Sequence, residues 1–174
     1  VLRDEGVRCI EFDYPPRPDP ARMQGAIEEL AGELGTSRAE AEAWRGRLAP
    51  ARALAARIDR MSWQQARVHG VENHLWLVSA SDFCADPAGY EARARDFVST
   101  AASREPIPHE VRLGLCGVPP IVPELYDFVE SQGALVVFNE TQRQFAMSEP
   151  AGSLAEQYTR YTYPYGVLAR IRDI

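Results

Sequence analysis

"VRLGLCGVPPIVPELYDFVESQGALVVF", residues 111–138, decides the fold. "VRLGLCG" is strand-like, the prolines of "PPIVP" open a helix that Gly133 stops, and "ALVVF" is a continuous apolar run of the kind buried on both faces. Strand, helix and strand within 28 residues form one βαβ unit, which requires parallel strands and a right-handed crossover. The next stretch, "NETQRQF" at 139–145, places amides, a carboxylate and a guanidinium at the end of a buried strand.

Upstream, Val7, Cys9, Ile10 and Phe12 predict a short first strand, which the four prolines of "DYPPRPDP" (13–20) terminate. Asp19 before Pro20 is an N-cap and first-turn pair, and Met23, Ala26, Ile27, Leu30, Ala31 and Leu34 recur at helical spacing up to Gly35. Ser37 with Glu40 forms a capping box for a second helix striped by Ala41, Trp44, Leu48, Ala51, Leu54, Ile58 and Met61, with Pro50 as a kink position. Ser62 with Gln65 repeats the pattern and predicts a third helix through "VENHLWLVSASDF", whose apolar middle also reads as strand, and Asp86–Pro87 starts a fourth. Ser153 with Glu156 caps a helix near the end, which "YTYPYG" breaks before a last helical turn. The expected architecture is a single α/β domain over 1–174, with a largely helical insertion at about 36–104 and the βαβ unit at 111–140.

Composition narrows the partners. A chain with 45% hydrophobic and 25% charged residues has the material for a packed core. Its net charge of -6 and dispersed basic residues give no footprint for nucleic acid or anionic lipid. All 19 basic residues are Arg, a bias that fits a G+C-rich genome better than a phosphate surface. No apolar run is long enough to span a membrane, and the N-terminus lacks the basic and apolar regions of a signal peptide. Cys9, Cys84 and Cys116 are odd in number and without C-x-x-C spacing, so a reducing cytoplasm is expected. The chain lacks an initiating Met and is expected to be an internal piece of a longer protein.

Ligands of parallel sheets bind beyond the carboxyl ends of the strands. "DYPPRPDP", "GVPPIVP" and "NETQRQF" are the three loops expected there, which makes Gly117, Asn139, Glu140 and Arg143 candidate binding residues, with Tyr163 and Tyr165 of "YTYPYG" as candidate cleft walls. A structural reading stands beside this one: Asn139 as a strand-end cap, Glu140 and Arg143 as a solvated pair, Gly117 as a tight turn, and the tyrosines as packing. Cys116 reads as a buried, inert thiol, and His69, His74 and His109 lack metal-ligand spacing.

The string from "VRLGLCGVPP" to "VVFNETQRQFAM", with "EQYTRYTYPYGVLARIRDI" and the upstream "GVRCIEFDYPPRPD", resembles the 2-hydroxyacyl-CoA dehydratase family, D-component type, which includes the benzoyl-CoA reductase subunits. The resemblance implies a flavodoxin-like (Rossmann-like) parallel sheet and an internal domain helping to form an acyl-CoA cleft in a lyase. It also implies a homologous partner subunit, an ATP-dependent activator and a [4Fe-4S] cluster. The family's cluster cysteines lie outside the region matched, so no catalytic residue, metal ligand or cofactor is expected within this chain, and the isolated chain is expected to be inactive. Relatives carry an Asp-rich loop with Cys and Arg where this chain has "NETQRQF", leaving Arg143 as the equivalent basic residue. The alternative is a non-catalytic α/β binding or scaffolding module that contacts a partner subunit.

Overall fold

A computed structural model describes residues 4–173 and divides the chain into two compact units, residues 4–47 with 150–173 and residues 48–149. In the first unit, α1 (Pro20–Glu33) is capped by the Asp19 carboxylate, which accepts the Arg22 N–H at 3.0 Å. The Met23 and Ile27 side chains of α1 pack with Ala155 of α7 (Leu154–Arg160), flanked by Phe12, Tyr14, Leu154 and Tyr158. Helix α2 (Arg38–Trp63) begins here at the predicted box: the Glu40 carboxylate accepts the Ser37 N–H at 3.0 Å, and the Ser37 hydroxyl accepts the Glu40 N–H at 3.2 Å. It runs through Pro50 and ends in the second unit. A 3-10 turn (Tyr163–Tyr165) and α8 (Val167–Asp173) complete the first unit.

The first strand expected at residues 7–12 does not form. Val7 and Ile10 stay exposed, and Phe12 turns into the aromatic cluster, its ring centroid 6.0 Å from Tyr14 and 6.4 Å from Tyr158. A strand needs a neighbour's backbone, and among the described residues this segment pairs with none.

The second unit packs the end of α2 with α3 (Gly70–Ser79) and α4 (Pro87–Ala102) around Ile58, Leu77, Phe83, Tyr90 and Val98, with Ala51, Ala55 and Ala94 allowing close approach. The third helix does not start at the predicted Ser62 cap, because α2 continues to Trp63 and the chain then turns through Ala66 in the left-handed region (φ 52°). Gly70 instead opens α3 where the backbone meets the sheet: a Cβ there would lie 2.6 Å from Val136 Cβ and 2.7 Å from Tyr126 Cδ1. Between α3 and α4, Phe83, Cys84 and Ala85 form a turn with φ of 54°, 53° and 57°, three consecutive left-handed residues that are not glycine.

The βαβ unit is present as expected. β1 (Val111–Leu115) and β2 (Ala134–Asn139) pair in parallel, Val111 beside Ala134 and Leu115 beside Asn139, with a register shift between Leu113 and Gly114. The connecting α5 (Glu124–Ser131) starts later than the prolines at 119 and 120 suggest, after Pro123. β2 is buried under α3 and α5, whereas β1 is largely exposed. Among the described residues the sheet is this open pair, so the fold is mixed α/β with helices predominating.

Candidate functional site at the carboxyl end of the sheet

"NETQRQF" is not a loop. α6 (Glu140–Ala146) begins directly after β2 and ends at Met147 in the left-handed region. The helix is fixed at its start by the turn after β1. The Glu140 carboxylate accepts the Gly117 N–H at 2.7 Å, and the Thr141 hydroxyl donates to the Gly117 carbonyl. Gly117 has φ +100°, a conformation that side chains resist, so glycine is needed at that turn.

Asn139 is wholly buried and uses both ends of its amide. Its Oδ1 accepts the Tyr126 hydroxyl at 2.7 Å, and its Nδ2 donates to Asn73 Oδ1 at 2.8 Å and to the Gly70 carbonyl at 3.3 Å. Asn73 Nδ2 passes the chain on to Asp59 Oδ1 at 3.1 Å, and Arg143 Nε donates to Asp59 Oδ2 at 2.8 Å. Gln142, also buried, donates to His74 Nδ1 at 2.8 Å, so that imidazole carries its proton on Nε2. A continuous set of polar side chains thus ties the end of β2 and α6 to α2, α3 and α5. Each buried group is satisfied by another, as a low-dielectric interior demands.

The electrostatics follow from burial. Burial pushes the Asp59 carboxyl above its usual range and outweighs the opposing pull of Arg143 and the Asn73 amide. Burial likewise holds His74 below its ordinary value, so it is neutral at pH 7, and raises the Tyr126 phenol to about 12 despite its contact with Gln142. Arg143 stacks 5.0 Å above the Phe138 ring, and its side chain remains 27% exposed against 4% for Asp59.

Of the residues singled out from sequence, Gly117, Asn139, Glu140 and Arg143 gather at this end of the sheet. Tyr163 and Tyr165 belong to the other unit, where Tyr163 stacks with Tyr161 and lies under the Arg170 guanidinium at 4.6 Å, and Tyr165 sits 5.8 Å from Tyr14. Asp59, Asn73, His74 and Tyr126 escaped the sequence reading of the site. The signal was nevertheless there: Asp59 lies on the stripe with Ala51, Ala55 and Ser62, and Asn73 lies between Gly70 and Leu77, polar residues on otherwise buried helical faces.

Cys116 is exposed rather than buried, because β1 lacks cover on its outer side. Among the described residues no group of three or more His, Cys, Asp or Glu, the three thiols included, is placed to hold a metal ion or an iron–sulfur cluster. No helix of the described residues is long and apolar enough to cross a membrane.

No curated protein and no solved structure matches the chain. The profile of 2-hydroxyglutaryl-CoA dehydratase, D-component, matches residues 13–173, which takes in both units and all six candidate residues. Nearly the whole chain is covered, and the chain belongs to the D-component family of 2-hydroxyglutaryl-CoA dehydratases.

Proposed function

We propose that this chain is an internal domain of a 2-hydroxyacyl-CoA dehydratase-like lyase, akin to the benzoyl-CoA reductase subunits, and that it helps to form the acyl-CoA cleft. The family match over residues 13–173 is the observation that carries the reading. The parallel pair with its helical crossover supports it, since a flavodoxin-like sheet is built from such units. In this reading the Gly117 turn and the start of α6 form the floor of the cleft, with Asn139 and Glu140 holding that floor rigid and Arg143 offering donors at its rim. In the other unit, Tyr163 and Tyr165 are proposed as further substrate-contacting residues. A homologous subunit and an ATP-dependent activator complete the enzyme in a reducing cytoplasm. The [4Fe-4S] cluster would be held by residues outside this sequence, because the donors within it do not fit one.

Acyl-CoA binding tests the proposal. Tryptophan and tyrosine fluorescence of the protein, titrated with a 2-hydroxyacyl-CoA, should saturate, and Gly117→Val, which forces a side chain into a positive-φ turn, should weaken binding by at least about tenfold, or ~1.4 kcal/mol. Absence of saturable binding, or a Gly117→Val protein that binds as wild type, would refute it.

A further inference from the structure

At the margin of the polar set around β2 stands a donor of fixed identity. Three acceptors surround Gln142 Nε2: His74 Nδ1 at 2.8 Å, the Tyr126 oxygen at 3.4 Å and Asn139 Oδ1 at 3.5 Å. Tyr126 donates its own proton to Asn139 Oδ1, so the Gln142 atom that faces all three must be the amide nitrogen. His74 Nδ1 is therefore an acceptor. The ring proton stays on Nε2, on the side of the imidazole turned away from Gln142.

The ring is also held in place. It lies 5.5 Å from the Tyr126 ring at an interplanar angle of 37°, and burial favours its neutral form. Asn73, the preceding residue, is wholly buried, whereas His74 is partly exposed, and among the described residues no hydrogen bond engages Nε2. Its position is the one where parallel sheets take their ligands. Asn73 bonds to Asn139, the last residue of β2, and His74 bonds to Gln142 in α6, so α3 carries the imidazole past the carboxyl end of the strand. A neutral imidazole brings a directed N–H without a charge, which suits a carbonyl oxygen. Arg143, permanently charged and shared with Asp59, suits an anion instead.

We propose that His74 Nε2–H binds the thioester carbonyl oxygen of the acyl-CoA and so distinguishes an acyl thioester from other CoA derivatives. The inference rests on the acyl-CoA reading above and adds to it the atom that recognises the carbonyl. The phosphates of CoA are charged and strongly solvated and belong at an exposed rim. His74 lies against the buried Tyr126 and Gln142, where an enclosed and uncharged part of the ligand fits.

The test compares an acyl-CoA with the matching S-alkyl-CoA thioether, which lacks the carbonyl oxygen and keeps the phosphates and amides of the carrier. Both are titrated into wild type and into His74→Asn, whose side-chain oxygen can still accept from Gln142 but which has no group in the place of Nε2. Wild type should prefer the thioester by about fivefold, the usual contribution of one neutral hydrogen bond. His74→Asn should bind the two alike. Nitrogen-15 NMR of the wild-type imidazole needs no variant: Nε2 should be the protonated nitrogen, and its resonance should move with the thioester and not with the thioether. Equal binding of both compounds by wild type, a preference that survives in His74→Asn, or an Nε2 resonance unmoved by the thioester overturns the role of His74 while the acyl-CoA reading stands. If neither compound binds, the acyl-CoA reading itself fails and this inference falls with it.

Discussion

Replacement of Arg143 by Ala separates a group that serves a ligand from one that serves the fold. Asp59 is almost fully buried and receives two donors, Arg143 Nε at 2.8 Å and Asn73 Nδ2 at 3.1 Å. Removing one partner of a fully buried ion pair costs about 3–5 kcal/mol, because the other charge is left without compensation. Arg143 is about a quarter exposed, so water and salt screen part of that interaction, and the expected loss is about 2–3 kcal/mol at neutral pH. For a unit of this size that lowers the melting temperature by roughly 10 °C or more. The companion change Asp59→Asn removes the orphaned charge, so Asp59→Asn/Arg143→Ala should recover at least about 1 kcal/mol relative to Arg143→Ala alone. The pH dependence has a defined sign. A buried Asp59 without Arg143 has a folded-state pKa raised further above the ordinary 3.8, so the penalty exists where Asp59 ionises and fades as pH falls towards 3.8. Urea unfolding followed by circular dichroism at pH 7.5 and pH 5 measures both effects. A loss below about 0.5 kcal/mol at pH 7.5, in the range of ordinary surface changes, would refute the assignment of Arg143 to the buried network.

Gly70→Ala should destabilise by about 1–3 kcal/mol, since its Cβ would overlap Val136 and Tyr126, and denaturant midpoints will show it. Ala85→Gly should raise stability by about 0.5–1 kcal/mol, because Ala85 is exposed and sits in a conformation glycine adopts freely; an unchanged or lower midpoint would contradict the strain assigned to that turn. Neutral His74 is favoured by folding, so its contribution is lost as pH drops below about 6.5, and His74→Gln should flatten the fall in melting temperature between pH 7.5 and 5.5.

The βαβ unit and most helix starts were legible because they rest on local chemistry: the Asp19 and Asp86 caps, the Ser37–Glu40 box, and an apolar run too hydrophobic for any exposed element. What failed depended on partners distant in sequence. Residues 7–12 have strand composition but, among the described residues, no adjacent strand, and "NETQRQF" looks like a polar loop until Gly117, His74 and Asp59 are seen to occupy its polar groups. The start of α3 was misplaced because a capping pattern is local, whereas Gly70 is dictated by how closely a helix must approach β2. Gly117, Asn139, Glu140 and Arg143 do gather at one end of the sheet, but the spacing could not reveal that Asn139 is wholly enclosed or that Arg143 already has a carboxylate partner.

The hydrogen-bonded set centred on Asn139 also governs how the second unit can open. Lifting α3 off β2 would strip partners from Asn73, Asn139, Asp59 and Gln142 together, and no intermediate position satisfies only some of them at low cost. Partial detachment is therefore penalised as heavily as complete detachment. Amides of α3, β2 and α6 should exchange with solvent through one shared event, as a single cooperative block, while the exposed chain between Gly117 and α5 fluctuates independently of it.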